Sequence, residues 1–420
     1  MVSPKKPMQI ILISGPYYPR KSPASNCVDH YIQELLSMGN HVDVICPATT
    51  LDTSLYSRGR LTVHRVSGHW TTWRAFCYKM LGKGRFVTFW KCILLIVRLY
   101  GIVIAPFSFP TRHAWMKKKL AAVLEKLLHV KDVDAVISVS DPPCAHLAVL
   151  EVRKKNPIPK WITYTLDPYT FNPINYQYVI LPKYRQERNF LAEQSIYNSA
   201  DYNIFSKELY EMALTEFSQP VTKTVCFPYI IKRPLQQTLS AKENNGLVIV
   251  YAGTLKKSIR EPNLMLSVLS KIKNITLRLY VAGDCEHILN RYASPQIMIS
   301  GFLSQEEYQR VVCVEADILI NIGNTNDLQS PSKLVELLSS GKPIIHFYHH
   351  QDEGFRMIDK YPLGINVGDS NEETIRMVDL FCHKMKGRKL SFEDVEKLYP
   401  ENTLKGQMKQ LNQMLSGRGE

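Results

Sequence analysis

The sequence predicts an α/β protein built from two doubly wound parallel domains that would face each other across a cleft. Three observations carry this expectation. Short apolar runs alternate with amphipathic stretches along the whole chain, the order of parallel strands joined by crossover helices. Several runs are apolar throughout rather than at every second position, as expected when helices cover both faces of a sheet. The alternation then restarts after the polar stretch Lys242-Glu243-Asn244-Asn245-Gly246, which reads as a linker. The length of 420 residues fits two or three domains of ~150 residues each. The boundary is expected within 229–245. Residues 1–235 form the first domain and 236–400 the second, and a C-terminal helix over 401–420 can return to the first.

The first strand is expected at Met8–Ser14. It ends in Ser14-Gly15-Pro16-Tyr17-Tyr18-Pro19, a glycine-containing turn at a strand's carboxyl end, where such a domain receives ligand. The turn lacks Gly-x-Gly-x-x-Gly, which argues against a dinucleotide fold. Gly15, Pro16 and Tyr17 are therefore candidates for an acceptor or donor loop, against the plainer reading of an ordinary connection. A helix follows near Asn26, with Val28–Met38 amphipathic. Further strands are expected at His41–Cys46, Val133–Val139, Trp161–Leu166 and Tyr202–Phe205. In the second domain they are Leu247–Tyr251, Leu277–Val281, Ile297–Ser300, Ile318–Ile322 and Pro343–Phe347. Leu264–Ile272 and Lys333–Leu338 have helical spacing, and Glu401–Leu415 is helical and polar enough to lie on a surface.

Charge narrows the partners. Lys and Arg number 52 against 38 Asp and Glu, a net charge of +14, which favours phosphates, nucleic acid or an anionic membrane leaflet. The nine cysteines are scattered without a Cys-x-x-Cys pair, which fits reduced thiols in a cytosol. Cys27 or Cys144 could be a nucleophile, but a buried structural role suits a free Cys better. No secretory leader is read: Met8–Ile13 is too short for one. The stretch from Phe86 to Phe109 contains Lys91, Arg98, Gly101 and Pro106, and charges inside a span are costly, so no membrane span is read there.

Residues 70–130 break the alternation. Trp70, Trp73, Phe76, Tyr78, Phe86, Phe89 and Trp90 mix with Arg74, Lys79, Lys83, Arg85 and Lys91, and Arg112, Lys117, Lys118 and Lys119 follow. Rings among basic residues suit a headgroup interface. The plainer reading is a helical insertion with core aromatics and a solvated basic face. Nothing else in the chain resembles a nucleic-acid module, so no nucleic-acid partner is expected.

The most informative stretch is Asn326 to Pro343. Ser330 can cap a helix, Pro331 suits its first turn, and Gly341 can end it. Ser332 and Lys333 then stand at the helix start, with Glu336 about one turn in. Free N–H groups and the dipole attract phosphate there, and Glu336 can accept from ribose hydroxyls. These are the parts of a nucleotide-diphosphate site, or of a capped surface helix with solvated Lys and Glu. The loop Tyr251-Ala252-Gly253-Thr254-Leu255-Lys256-Lys257-Ser258-Ile259-Arg260-Glu261-Pro262 strengthens the first reading. Gly253 lets backbone approach a ligand, and Lys256, Lys257 and Arg260 can neutralise a diphosphate.

Taken together, these segments resemble a GT-B glycosyltransferase of the large retaining family 4 type, as found in bacterial capsule, exopolysaccharide or O-antigen assembly. The similarity runs through Ile11–Pro19, Asp29–Cys46, Asp134–His146, Trp161–Pro168, Tyr251–Pro262, Asp317–Gly323 and Pro331–Ile345. It implies a GT-B architecture, with donor bound mainly to the second domain and acceptor to the first. By that resemblance Glu336 matches the second acid of a Glu-x7-Glu motif that holds the donor ribose. Ser332, Lys333 and Leu334 match the segment meeting the diphosphate, and Gly253 and Thr254 match the donor-phosphate loop. Many relatives have Gly-Arg in that loop, so Arg260 or Lys256 would replace the missing charge. Leu328 stands where the first motif acid would fall, with Asp327 beside it. His146 matches a histidine that can touch the transferred sugar, against the commoner structural role of a lone His. Asp167 ends the next strand toward the acceptor, or simply caps a turn.

His346, His349 and His350 have no spaced carboxylate or Cys partner, and the resemblance implies no required metal and no cofactor beyond the nucleotide sugar. The expected activity is transfer of a hexose-type sugar, with retention, to a lipid-linked or polysaccharide acceptor. The protein would act in the cytoplasm, peripheral at the inner face of an anionic membrane. Two alternatives remain on the sequence: a nucleotide-sugar 2-epimerase of the same fold, and a non-catalytic glycosyltransferase-like partner protein.

Overall fold

The computed structural model describes residues 6–417 except 20, 51–52, 68, 83, 85, 105–113, 141–142, 168, 177–180, 235–245, 258 and 326–331. The chain divides into two compact units, Met1–Pro228 with Gln407–Glu420, and Tyr229–Gly406.

The first unit begins β1 (Gln9–Ile13), α1 (Pro23–Ser37), β2 (His41–Pro47), β3 (Tyr56–Arg58) and β4 (Leu61–Val66). Three helices follow: α2 (His69–Gly82), α3 (Val87–Ile104) and α4 (Ala114–Val130). It continues β5 (Ala135–Val139), α5 (Cys144–Arg153), β6 (Trp161–Thr165), α6 (Pro182–Ser199), β7 (Tyr202–Phe205), α7 (Lys207–Thr215) and β8 (Thr224–Cys226). The eight strands form one sheet in the order β3-β4-β2-β1-β5-β6-β7-β8. All neighbours are parallel except the β3–β4 pair.

The second unit holds β9 (Leu247–Leu255), α8 (Asn263–Leu269), β10 (Ile275–Gly283), α9 (Glu286–Tyr292), β11 (Ile297–Ser300) and α10 (Gln305–Arg310). Then come β12 (Ile318–Ile322), α11 (Ser332–Ser339), β13 (Ile344–Phe347), α12 (Glu353–Lys360), β14 (Gly364–Val367), α13 (Glu372–Met385) and α14 (Phe392–Leu398). Its six parallel strands take the order β11-β10-β9-β12-β13-β14, the doubly wound order of a Rossmann sheet.

Burial explains why the strands read as continuous apolar runs. Ile10, Ile11, Leu12 and Ile13 of β1 are all at most 2% exposed, because both sheet faces are covered. Burying each such side chain contributes about 1.5–3 kcal/mol. The two hydrophobic cores sit on these sheets, one per unit.

All ten expected strands exist, with β9 and β10 running longer than expected. Strands β3, β4, β8 and β14 were not anticipated. They are edge or near-edge strands whose apolar content is too low to mark them. The last helix, α15 (Leu404–Ser416), was expected to lie on a surface. It lies on the first unit from Gln407 onward, with one face exposed and the other burying Gln407, Met408, Leu411, Met414 and Leu415. Gln407 Nε2 donates to the Pro228 carbonyl at 2.7 Å, Tyr31 Oη donates to the side-chain amide oxygen of Gln407, and Lys160 Nζ donates to the Leu415 carbonyl at 2.9 Å.

The basic aromatic segment is two different things. Helix α4 is a core helix: Met116, Leu120, Leu124 and Leu127 recur at helical spacing and are buried, and Lys117 pairs with Glu151 of α5 at 3.0 Å. Helices α2 and α3 form a hairpin whose outer side is exposed. Among the described residues no helix is long and apolar enough to cross a membrane.

Candidate functional site

In a doubly wound sheet, ligands bind beyond the carboxyl ends of the strands where the strand order reverses. In the second unit that point lies between β9 and β12, the strands on either side of the reversal. Most of the described polar residues expected to bind donor converge there.

The loop after β9 folds back on itself, with Arg260 N–H donating to the Lys256 carbonyl at 2.7 Å. The Thr325 N–H donates to the Ile259 carbonyl at 2.8 Å, tying this loop to the end of β12. Arg260 uses Nε and Nη2 on Asn324 Oδ1, at 3.2 and 2.7 Å. The guanidinium is thus held by a neutral acceptor, and its charge is not cancelled by that contact. It also faces the Tyr251 phenol, whose pKa burial raises while Arg260 opposes the rise. Tyr251 Oη donates to the Thr254 carbonyl at 3.3 Å.

Helix α11 supplies the second cation. Leu334, Val335, Leu337 and Leu338 turn into the core, which leaves Lys333 and Glu336 on the other face, half-buried. Lys333 Nζ lies 3.6 Å from the centroid of the Tyr308 ring and 3.7 Å from Glu336 Oε2. Burial pulls the Lys333 pKa below its ordinary value, against the pull of Glu336, and the Arg260 charge lowers it further. Two cations that repel each other at a strand edge are stabilised by an anion between them. Gln309 Nε2 approaches Glu336 Oε1 at 3.5 Å. The Tyr308 hydroxyl is buried beside Glu336, and burial with that carboxylate raises its pKa well above normal. Just after Tyr308 the chain makes a π turn over Val311–Glu315, a local insertion common near functional sites.

Gly283 closes the floor. Its φ is 129°, and a Cβ there would stand 1.7 Å from the Leu255 carbonyl oxygen. The next residue, Asp284, accepts from the Lys257 N–H at 2.9 Å, and that bond is the largest cause holding its carboxyl below the usual range. Gly253 and Thr254 end β9 beside this loop, and Lys256 is exposed.

Other expected residues land elsewhere. Leu334 is fully buried in the core of the second unit and offers no side chain to a ligand. Asp327 and Leu328 lie outside the described residues, as does the Ser332 side chain. His146 departs from its expected place. Because α5 begins at Cys144, its first turn directs His146 onto the sheet, and the ring is 2% exposed. Its Nδ1 pairs with Ser138 Oγ at 2.7 Å, and Trp161 Nε1 donates to the same Oγ at 2.8 Å. Burial pushes its pKa down to about 3, so it is a neutral core histidine. Asp167 is exposed at the end of β6. In the Gly15 turn, the Gly15 carbonyl accepts from Ser14 and Ser25 hydroxyls at 3.0 and 3.1 Å. The Pro16 carbonyl accepts from the Ser22 N–H at 2.7 Å. Tyr17 is buried, its Oη donating to Asp29 at 2.5 Å, while Lys21 pairs with Asp29 at 2.6 Å. This turn is locked by its own polar groups.

His346 is buried and its Nδ1 lies 2.9 Å from Asn321 Nδ2. Among the described residues no three His, Cys, Asp or Glu side chains are grouped to hold a metal ion. Sequence reading missed Tyr308, Tyr251 and Asn324. Only Asn324 carried a signal, as a polar residue directly after the Gly323 that ends an apolar strand.

Solved structures share this fold over nearly the whole chain. The lipopolysaccharide outer core galactosyltransferase WaaB superposes with a TM-score of 0.60 at 12% identity, covering 98% of this chain and 99% of its own. A glycosyltransferase from Rickettsia africae gives 0.58 at 12%, covering 98% and 100%. The catalytic domain of starch synthase IV from Arabidopsis thaliana, bound to ADP and acarbose, gives 0.59 at 9%, covering 98% and 99%. No protein-family model and no curated protein matches the chain. The fold is the GT-B fold, two Rossmann-like units in one chain.

Proposed function

We propose that this protein is a retaining glycosyltransferase that moves a hexose-type sugar from a nucleotide-diphosphate sugar to a lipid-linked saccharide acceptor. The observation that supports it most is the placement of Arg260 and Lys333 near enough for their charges to interact, with Glu336 beside Lys333, at the strand-order reversal of the second unit. The fold and the resemblance to family 4 enzymes support the same reading.

In this reading Arg260 and Lys333 hold the diphosphate, with Gly253, Thr254, Lys256 and the start of α11 (Ser332, and the backbone of Leu334) closing around it. Glu336 accepts from the ribose hydroxyls, and Asp327, outside the described residues, is kept as a donor-side candidate from the sequence alone. The bond between the anomeric carbon and the phosphate oxygen breaks, and the leaving diphosphate gains negative charge. Fixed cations stabilise that charge because they need no reorganisation as it develops. The acceptor oxygen bonds the anomeric carbon on the same face, and its proton passes to the departing phosphate oxygen. No metal and no other cofactor is assigned to this step. Asp167 and the turn at Gly15 and Pro16 are our candidates for the acceptor side. The neutral, buried His146 serves the core rather than the transferred sugar. The acceptor places the protein at the inner face of an anionic membrane, with no nucleic-acid partner.

Calorimetric titration with nucleoside diphosphates, followed by a transfer assay with nucleotide sugars and acceptor membranes, tests the reading. Binding with sugar transfer is expected. Isomerised sugar nucleotide without acceptor would instead identify an epimerase. No nucleotide binding at all would defeat the proposal.

A further inference from the structure

Among the described residues, the largest group of exposed apolar side chains lies in the α2–α3 hairpin. In the α2–α3 hairpin, Phe86 is 78% exposed, Ile96 64%, Phe89 56% and Leu95 54%. Along α3, Phe89, Cys92, Leu95, Ile96, Leu99 and Tyr100 are all exposed, and their spacing of three and four residues places them on a continuous stripe. The hairpin has an interior of its own. Cys77 is buried, and Phe76 meets the Trp90 ring edge-on at 5.5 Å. The stripe is therefore a face left over after the hairpin has packed.

Charge says what covers it. Between Asp52 and Glu125 the sequence has no acidic residue at all. Lys79 and Lys91 of the hairpin are exposed. A second copy of the hairpin would bring cations against cations with no carboxylate to pair them. An anionic lipid surface supplies the missing charge to the lysines and hydrocarbon to the stripe. Helix α3 has 18 residues and includes Lys91 and Arg98, which suits a helix lying in the interface rather than crossing it.

We propose that the α2–α3 hairpin is the membrane-docking element, with the Phe89–Leu95–Leu99 face of α3 in the acyl boundary and its lysines at the headgroups. The proposal rests on the membrane-surface reading above and assigns it to residues. It moves the contact away from α4, where Lys117 is engaged with Glu151. Attachment is mainly apolar, so salt weakens it little once formed.

The test uses the full chain with vesicles of phosphatidylcholine, alone and mixed with phosphatidylglycerol. The parent is expected to sediment with the mixed vesicles and to stay bound when salt is raised afterwards. Its tryptophan emission should be quenched by brominated acyl chains. The triple variant Phe89→Ser, Leu95→Ser, Leu99→Ser changes only exposed positions. It should partition about tenfold more weakly or worse while keeping the parent's melting temperature and nucleotide affinity. The pair Lys118→Glu, Lys119→Glu should bind vesicles nearly as the parent does. Parent protein left in the supernatant overturns both this proposal and the membrane reading, whereas nucleotide titration decides the donor reading separately. A parent that sediments with a triple variant that sediments equally overturns the hairpin alone. A lipid-free dimer that the triple variant converts to monomer gives the face to a second copy and also overturns it.

Discussion

The Lys333 ammonium sits 3.6 Å from the centre of the Tyr308 ring, so an aromatic face from α10 holds the cation that α11 delivers to the strand edge. Such a contact is worth about 0.5–2 kcal/mol, more as water is excluded. We expect Tyr308→Phe to retain nucleoside-diphosphate affinity within a factor of about three, because the ring remains. Tyr308→Leu should weaken it by about three- to tenfold at ~1.4 kcal/mol per decade. Equal losses in both variants, measured by calorimetry, would shift the role from the ring to the hydroxyl.

Glu336 is placed to accept from ribose hydroxyls, and charge-assisted hydrogen bonds contribute about 1.5–3 kcal/mol. Glu336→Ala should therefore lower nucleotide affinity by about tenfold or more. Thermal stability should change little, since the carboxylate is half-exposed and its pairing with Lys333 is a loose 3.7 Å contact. Unaltered affinity would remove Glu336 from the site.

Arg260 and Lys333 are assigned to phosphate, not to the base or ribose. Replacing either by Ala should cost at least about tenfold in nucleoside-diphosphate affinity and leave the unphosphorylated nucleoside bound as before. Arg260→Lys should not restore the parent, because two guanidinium nitrogens reach Asn324 and an ammonium cannot reproduce that fork. Similar losses for nucleoside and diphosphate would contradict the assignment.

His146 gives a pH prediction with a definite sign. Its folded pKa of about 3 lies below the ordinary 6.5, so the unfolded chain takes up a proton that the folded one refuses. Stability is fully present above pH ~6.5 and falls toward pH 3, by up to ~1.4 kcal/mol per pH unit from this group. His146→Gln should be less stable than the parent at neutral pH by about 1–3 kcal/mol, yet lose less on acidification to pH 4. Denaturant midpoints at several pH values decide it. A parallel fall of both curves would show that other groups govern acid stability.

Gly283 tests the floor of the site. With φ of 129° and the Leu255 carbonyl 1.7 Å from any Cβ, Gly283→Ala should destabilise by about 2–4 kcal/mol. It should also displace the Lys257–Asp284 bond and lower nucleotide affinity. A melting temperature equal to the parent's would mean that β9 and β10 separate here at no cost.

The legible part of this molecule was the part written in local pattern. Fully buried parallel strands must be apolar on both sides, so β1, β5, β9 and β12 announced themselves, and the capping residues before Lys333 marked α11. Edge strands such as β3 and β14 need not be apolar, and their short, mixed segments gave no pattern. The candidate site was half legible for the same reason. Arg260, Lys333 and Glu336 fall in loops and helix starts with recognisable chemistry. Asn324 is marked only by its place just after a strand-end glycine, Tyr308 carries no mark at all, and only folding brings them to the same edge as Arg260 and Lys333.

The sequence by itself determined the doubly wound class, the net positive charge, and which helix and loop would carry cations, because these depend on residue type and short-range spacing. Tertiary structure decided which way side chains point. It turned His146 into the core, where its Nδ1 pairs with Ser138 Oγ, which also accepts from the Trp161 indole N–H. It buried Leu334, docked α15 by its apolar face, and divided one basic aromatic stretch into a core helix and an exposed hairpin. The physical reason is that orientation about a helix or strand axis is set by what packs against it. Those partners come from distant parts of the chain, whose pairing no local spacing records.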